Sequence, residues 1–549
     1  MNKIKSDIKN GFRGGKNLLF RKQSSILSAA LIISLTYLAS YILGFVKQRI
    51  LISIFGVSVF APQEESVLGT FFLADRIPSF IFNVLIAGSL STVFIPIFTQ
   101  KLKNQGKREA WKLCSNVLNT TIIFFSVISI IVVIFTPQIA KILTLNQPLA
   151  PLNDLVSLIR IMMLSQFILI FSSFITSSLQ SYKRFLIPSL APVMYNAGII
   201  IFVLIFYKQL GIKSAAWGMV FGALLHLLIQ LPLLKSLGFS YFKFVSFKDK
   251  NLKSIFSLAF PRIIGTTGDQ LALLVDNTLA YFISPPMAAI LALASSLQRL
   301  PVSVFGASIA QASLPTFSFF SNNELERFKQ TLISSVSQMI LLIFPASIVL
   351  LVLRIPLVRL VFGTARFSWD ATIATSYTLA FFSISIFSQG LCYVLSRAFY
   401  ALNDTKTPVA LSLFSVAISS TLSVIFVIIF NLGVWSLSLS YSIGVTINLA
   451  LLIVTLKKRV PGFLTENLLY KLGKIFWAGF ILGVALYIPL KFFDNYLFDT
   501  TKTINLFILT IVVGTIGITT YNFICKKMKI EEREVLSSYL KKRLKRLKI

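Results

Sequence analysis

Asp75-Arg76-Ile77-Pro78, Arg262, Asp269, Asp276 and Arg299 all fall inside long apolar stretches of this sequence, and Lys47 and Arg49 sit at the end of the first stretch. An ionised group near the centre of a hydrocarbon layer costs about 2.5 to 3.5 kcal/mol on insertion scales, so each needs a wet cavity or a partner. Ammonium and guanidinium groups lining such a cavity suit an anionic substrate, a phosphate or pyrophosphate headgroup above all. The bland alternative is structural: ion pairs between helices, or long basic side chains reaching back to an interface. Arg160, at the outer start of its stretch, is assigned to that second role. Residues 262, 269 and 276 recur every seven positions, which on a helix drifts only about 20° per step, so they share one face. Successive members are about 10 Å apart along the axis, and their partners must come from other helices. No nucleophile with a base, no acidic pair and no metal-ligand cluster is legible, so the sequence gives enzymatic chemistry no support. The single histidine, His226, and the three cysteines, Cys114, Cys392 and Cys525, read as packing residues.

The elements that position these groups are fourteen apolar segments: 26 to 46, 71 to 98, 114 to 136, 155 to 179, 185 to 206, 214 to 234, 255 to 283, 287 to 318, 331 to 353, 373 to 400, 408 to 430, 433 to 456, 475 to 490 and 504 to 525. About 20 apolar residues in helical form match a hydrocarbon core of ~30 Å. A composition of 56% hydrophobic against 13% charged residues excludes an ordinary soluble domain. Alternation of period two is absent, which excludes an outer-membrane barrel. The fold class expected is all-α, a polytopic membrane protein.

With 52 Lys+Arg against 19 Asp+Glu the net charge is +33, which in a soluble protein would point to nucleic acid. The distribution points to topology instead, and no nucleic-acid partner is expected. One side of the membrane receives 38 basic residues, the other 10, and four lie within spans. The positive-inside rule puts the richer side, with both termini, in the cytoplasm. The basic segment 1–24 and the tail 526–549 read as topology determinants and solvated ends facing membrane lipids.

The chain also repeats itself. Ala87-Gly88-Ser89-Leu90, then Pro96 and Phe98, matches Gly306-Ala307-Ser308-Ile309, then Pro315 and Phe317, at an offset of 219. Arg76-Ile77-Pro78 matches Arg299-Leu300-Pro301, Pro188 matches Pro408, and Leu210-Gly211-Ile212 matches Leu432-Gly433-Val434. The expected organisation is an N-lobe of six helices over 25–237, a C-lobe of six over 250–457, and two further helices over 472–525. Six being even, both lobes enter from the same side and the repeat is parallel, an arrangement that commonly places a substrate site between lobes.

The stretch Phe71-Phe72-Leu73-Ala74-Asp75-Arg76-Ile77-Pro78, continuing to Ala87-Gly88-Ser89-Leu90-Ser91 and Val93-Phe94-Ile95-Pro96, resembles the signature of the MurJ/MviN lipid II flippase family. Leu43-Gly44-Phe45, Ile54-Phe55-Gly56, Gln230-Leu231-Pro232 and Lys406-Thr407-Pro408 add weaker matches. The resemblance covers roughly residues 25 to 525. It implies the multidrug/oligosaccharidyl-lipid/polysaccharide exporter superfamily and outward transfer of the undecaprenyl-pyrophosphate-linked peptidoglycan precursor across the bacterial cytoplasmic membrane. It also implies a lipid-tail groove at helices 13 and 14. Lys47 and Arg76 match basic positions of the family, and Arg49, Arg262 and Arg299 join them as candidate headgroup contacts. A cation site known in the family makes Asp276 or Asp404 a candidate ligand of a monovalent cation; Asp75 and Asp269 complete the candidate gating and coupling groups. Cell-wall synthesis proteins are candidate partners. The sequence departs from the family pattern at Tyr41, Gln48, Gly69, Asn83 and Ser296, where charged residues are usual, and these departures bear on substrate and coupling rather than on fold. The readings kept beside this one are export of another lipid-linked saccharide or amphipathic small molecule, and a non-transporting membrane scaffold for cell-wall assembly.

Overall fold

A computed structural model describes residues 26–59, 67–87, 93–147, 151–320 and 324–534, without the side chains of 26–34, 87, 261, 262 and 315. The segment 1–24, the glycine element at 88–91, the side chains of Arg262 and Pro315, and the tail from 535 onward lie outside the described set.

Backbone amides in hydrocarbon have no water to bond, so the apolar segments must satisfy them internally and become helices. The first part of the chain forms α1 (Ile26–Phe55), α2 (Val67–Ala74), α3 (Arg76–Phe82) with a π turn over Asn83–Ala87, and α4 (Ile95–Leu143). It continues with α5 (Leu152–Ser181), α6 (Leu186–Leu210), α7 (Lys213–Leu228), α8 (Leu231–Ser236) and α9 (Lys250–Ile283). The remainder forms α10 (Pro285–Pro301) with a π turn over Val302–Ala307, α11 (Ser308–Phe320), α12 (Leu325–Val352) and α13 (Arg354–Phe362). Last come α14 (Trp369–Ala401), α15 (Lys406–Val424), α16 (Trp435–Arg459), α17 (Glu466–Tyr496) and α18 (Thr503–Lys527). Among the described residues thirteen helices are long and apolar enough to cross a membrane. The seventh segment, α9, is helical over 34 residues but is not one of the thirteen, because its charged residues and Thr266, Thr267, Gln270 and Asn277 dilute its apolar character. The basic stretch 101 to 112, read from sequence as a loop, is helical within α4 except at Gly106, whose φ of 83° breaks the axis.

Two compact units divide the chain, Met1–Ala288 and Ala289–Ile549. In the first, α7 packs on α5 and α6, and α1 packs on α6. Helix α9, which repeat arithmetic assigns to the second lobe, makes its contacts here, against α2, α3 and α4. The linker after α8 is strapped to the start of the third span: Asn119 donates to the carbonyls of Phe242 (3.0 Å) and Phe244 (2.9 Å), and Asn116 exchanges two hydrogen bonds with the backbone of Ser246. In the second unit α14 packs on α12 and α16, with Phe317, Phe328, Met339, Phe399 and Leu452 in its core. Helices α17 and α18 pack on each other and on α12 and α13 through Leu353, Leu482, Leu486, Leu509 and Val513.

The two units carry the same local devices. Lys183 and Asn403, 220 residues apart, both take left-handed φ (59° and 60°) where one span turns into the next, with matching hydrogen-bond sets around them. The π turns over Asn83–Ala87 and Val302–Ala307 each follow the Arg-x-Pro element of their unit. Because lipid tails are as apolar as leucine, helices in a bilayer associate through close packing rather than through burial from water. Gly222 on α7 lies against α6, where a Cβ would fall 2.5 Å from the Tyr195 carbonyl; Gly444 on α16 lies against α15, where a Cβ would fall 3.0 Å from the Ser415 carbonyl.

Gly222→Val should therefore destabilise the protein by about 1 to 3 kcal/mol. Gly514→Ala on α18, where a Cβ meets nothing within 4 Å, should be neutral or stabilising by up to about 1 kcal/mol. Thermal unfolding of both variants in detergent, read side by side, checks the contrast.

Candidate functional site

Pro78 has no amide hydrogen for the Ala74 carbonyl, so the second span is interrupted one turn upstream, between α2 and α3. Asp75 sits in that interruption, its N–H donating to Phe71 O (3.2 Å) and its carbonyl accepting from Ser79 N (3.0 Å). Its side chain is anchored locally, Ser79 Oγ donating to Asp75 Oδ1 at 3.0 Å. The next residue, Arg76, opens α3 and is half-buried.

Helix α1 brings Lys47 to the same place. Ser40, Gly44 and Lys47 fall at i, i+4 and i+7, one face of a helix. That face is turned to α6: Asn196 donates to Ser40 O (3.3 Å) and Oγ (3.4 Å), and a Cβ at Gly44 would lie 4.0 Å from Asn196 Nδ2. Lys47, half-buried, and Tyr195, the neighbour of Asn196, both lie within electrostatic reach of the Asp75 carboxylate. Arg49, two positions on and about 200° around the helix, is half-buried on a different face. Thus an ammonium, a carboxylate, a guanidinium and two hydroxyl groups come from α1, the α2–α3 break and α6 within one unit. A fourth element joins through Asn83 Nδ2, which donates to Gln270 Oε1 of α9 (3.4 Å). On α9 itself Asp276 is buried and Asp269 is exposed.

The remaining candidates stand elsewhere. Arg299, on α10, is exposed and belongs to the second unit; its carbonyl accepts from Ser303 Oγ (2.9 Å). Asp404, in the turn before α15, accepts from Thr407 N (3.0 Å) and Thr407 Oγ1 (2.7 Å) and pairs with Arg459 Nη2 at 2.7 Å. Burial pushes its carboxyl upward, but the Thr407 side chain and backbone, the Arg459 charge and the Lys406 N–H outweigh that, and it is held below the usual range. Arg160 donates to Val133 O (3.2 Å) from an exposed position. His226 is a packed histidine, its Nδ1 hydrogen-bonded to Ser172 beside Gln230, which itself donates to Ser172 Oγ at 2.8 Å.

Sequence reasoning missed Ser79, Tyr195 and Gln270. The i+4 spacing of Ser79 from Asp75 was available as a signal; the approach of α6 and α9 was not, since it depends on tertiary packing.

A family model described as lipid II flippase MurJ matches residues 51–508. A probable lipid II flippase MurJ of Buchnera aphidicola subsp. Acyrthosiphon pisum is 25% identical over 498 residues, covering 89% of this chain and 96% of the relative. One of Thermotoga maritima is 26% identical over 510 residues, covering 93% and 98%. Among solved structures, a lipid II flippase MurJ in an inward closed conformation superposes with a TM-score of 0.74 at 21% identity, over 91% of this chain and 99% of that one. An inward-facing multidrug resistance MATE family transporter of the MOP superfamily gives 0.61 at 16% identity, over 79% and 96%. These two likenesses speak for the fold.

The geometry at Asp404 sets a pH dependence outside the spans. Its folded-state value is depressed, so its contribution is present above the unfolded value of about 3.9 and fades as pH falls through the lower folded value. Asp404→Asn, which keeps an acceptor for Thr407 but loses the charge paired with Arg459, should cost up to about 1 kcal/mol of stability at neutral pH and flatten the acid limb of a thermal-unfolding series taken between pH 6 and 2.

Proposed function

The chain belongs to the MurJ family of lipid II flippases, and from that membership we propose that it moves lipid II from the inner to the outer leaflet during peptidoglycan synthesis. The membrane proposed is the bacterial cytoplasmic membrane, with both termini inside, and the excess of basic residues on one side supports that orientation. The cargo is lipid-linked, and cell-wall synthesis proteins are its expected neighbours.

The observation that carries the reading of the site is that Lys47 on α1 lies within electrostatic reach of Asp75, with Arg76 next to that acid in the chain and all three half-buried within one unit. A basic pair in that setting is suited to a pyrophosphate, which offers several acceptor oxygens to charge-assisted hydrogen bonds. Arg49, Arg262 and Arg299 are the further headgroup contacts proposed, and Asp75, Asp269, Asp276 and Asp404 the groups for gating or coupling, with a monovalent cation as candidate ligand. Alternating access is the mechanism: the headgroup enters from the cytoplasmic side, is held by the basic groups, and leaves on the other side. Carrying two negative charges outward across 100 mV, inside negative, releases on the order of 4 to 5 kcal/mol, enough to drive transport with no nucleotide hydrolysis. Basic side chains that travel with the charge reduce that gain.

The test is exposure of lipid II on the outer leaflet in bacteria depleted of their own flippase and expressing this chain. Lys47→Ala and Arg76→Ala should each lower exposure about tenfold or more, the scale of a lost charge-assisted contact, at unchanged membrane abundance. Exposure restored by the parent and unchanged in both variants would remove these residues from the headgroup site. Failure of the parent to restore exposure despite insertion would favour a different lipid-linked cargo or a scaffold role.

A further inference from the structure

On the orientation proposed above, the outer side of the membrane is poor in basic residues. Yet three of its ten, Arg354, Arg359 and Arg366, fall within 13 positions between α12 and α14. No acid lies between Glu326 and Asp370. Basic residues in an outer loop oppose the charge bias that sets topology, so their presence calls for a use. The internal repeat shows that the fold does not need them. At the offset of 219, where Pro137 matches Pro356, their counterparts in the first unit are Phe135, Ala140 and Gln147.

Two of the three are built into the surface of the second unit. Arg354 and Arg359 are half-buried on α13, which is seated by the buried Pro356, Val358 and Phe362; Leu353, just before it, joins the apolar core of α17 and α18. Arg354 Nη1 donates to Leu351 O at 2.9 Å, and its Cζ lies 5.9 Å from the centre of the Tyr377 ring. Arg359 Cζ lies 5.8 Å from the centre of the Trp369 ring. Among the described residues neither arginine forms an ion pair. Trp369 and Tyr377, 58% and 52% exposed, lie within the first three turns of α14. A helix of 33 residues is about 50 Å long, some 20 Å more than the hydrocarbon core. That excess leaves room for its first turns at headgroup depth, where tryptophan and tyrosine are favoured.

We infer that Arg354 and Arg359, with Trp369 beside them, form a binding site for the phosphate of an anionic phospholipid resident in the outer leaflet, of which phosphatidylglycerol is the simplest example. A guanidinium held against an aromatic ring keeps N–H groups for an oxyanion. Each basic residue at an anionic lipid surface adds about 5-fold in affinity. A lipid is favoured over a protein as occupant because the arginines alternate in space with the two ring types of the headgroup zone, on a short helix seated against spans. A headgroup held there fastens α13 and the start of α14 to the leaflet, beside α18, on which α13 also packs. The inference rests on the proposed function only for the leaflet that the site faces.

The test reads which lipid stands next to Trp369. The full chain is placed in nanodiscs of phosphatidylglycerol and phosphatidylcholine in equal amounts, with bromine on the acyl chains of one lipid or the other. Quenching at Trp369 is the difference between the parent and Trp369→Phe. In the parent the local ratio of phosphatidylglycerol to phosphatidylcholine should be about 5-fold or more, and in Arg354→Gln/Arg359→Gln it should fall to about 1 to 2. Equal quenching by the two brominated lipids in the parent overturns the site, as does a ratio unchanged in the double variant. If the double variant fails to accumulate, Arg359→Gln alone decides, at about half the parent's ratio or less. Purified lipid II added to the nanodiscs should leave the quenching as it is; relief of quenching at equimolar lipid II makes the cargo the occupant and overturns the assignment to a resident phospholipid. Both leaflets have the same composition, so this readout holds whichever way the chain is inserted. The leaflet is read separately in whole cells, by labelling Ala365→Cys with a membrane-impermeant maleimide after Cys114, Cys392 and Cys525 are replaced by serine. Labelling is expected, and its absence overturns the outer-leaflet assignment together with the proposed orientation.

Discussion

A polar group carried into hydrocarbon must find its partner inside the protein, and nearly every choice made by this chain follows from that constraint. It makes the backbone helical. It also decides the fate of the many hydroxyl residues in the spans, which bond back to carbonyls one turn earlier: Thr136 to Val132 (2.6 Å), Thr375 to Ala371 (2.7 Å), Ser376 to Thr372 (2.7 Å) and Ser383 to Leu379 (2.7 Å). Amides, too large for that solution, reach across helices. Gln230 gathers Thr176, Ser172 and the His226 backbone, and Asn196 ties α6 to α1. Charges are the costliest groups, and the constraint is eased where the Asp75 carboxylate stands within electrostatic reach of the Lys47 ammonium inside one unit.

The same constraint explains why association depends on glycine. With no net gain from burying leucine against leucine, helices adhere where backbones approach closely. Gly198 and Gly222 let α6 and α7 meet backbone to backbone, Gly479 fits α17 against Phe344 of α12, and Gly517 fits α18 against Leu486 of α17. That last pair accounts for how the two helices outside the internal repeat are held. They pack as a hairpin and dock on α12 and α13, leaving Trp477, Phe480, Tyr487 and Phe507 exposed, as a surface in contact with lipid chains requires.

How far the sequence could be read depended on whether a feature is local. Span positions followed from hydrophobic length, which is local; the one helix that is long but falls short in apolarity, α9, is the one whose sequence carries Arg262, Asp269 and Asp276. The break at Asp75-Arg76 was foreshadowed by Pro78, and the turns at Lys183 and Asn403 by the repeat. What could not be read was which faces meet. Nothing in the spacing of 47 and 75 announces that α6 holds α1 so that Lys47 faces Asp75. The regular stripe on α9 likewise says that 269 and 276 share a face, yet gives no hint that one is buried and the other exposed. Asp404 shows the converse. Its role as a cap was written locally, in Asp404-x-x-Thr407, and its partner Arg459 was not.

The internal repeat makes one difference between the halves informative. The element Asp75-Arg76-Ile77-Pro78 in the first unit has its counterpart in Gln298-Arg299-Leu300-Pro301 in the second, with the arginine and proline kept and the acid replaced by an amide. Both copies precede a π turn, so the backbone device is shared while the charge is not. A carrier for an anion faces two demands that conflict: basic groups must attract the headgroup, and the headgroup must still leave. A lysine with no counter-charge in a low-dielectric setting binds a phosphate strongly and releases it slowly. A carboxylate within reach of that lysine competes for it, weakening capture and offering the lysine an alternative partner once the headgroup departs. On the proposed function, that is the part Asp75 would play, and the second copy has no acid at the matching position.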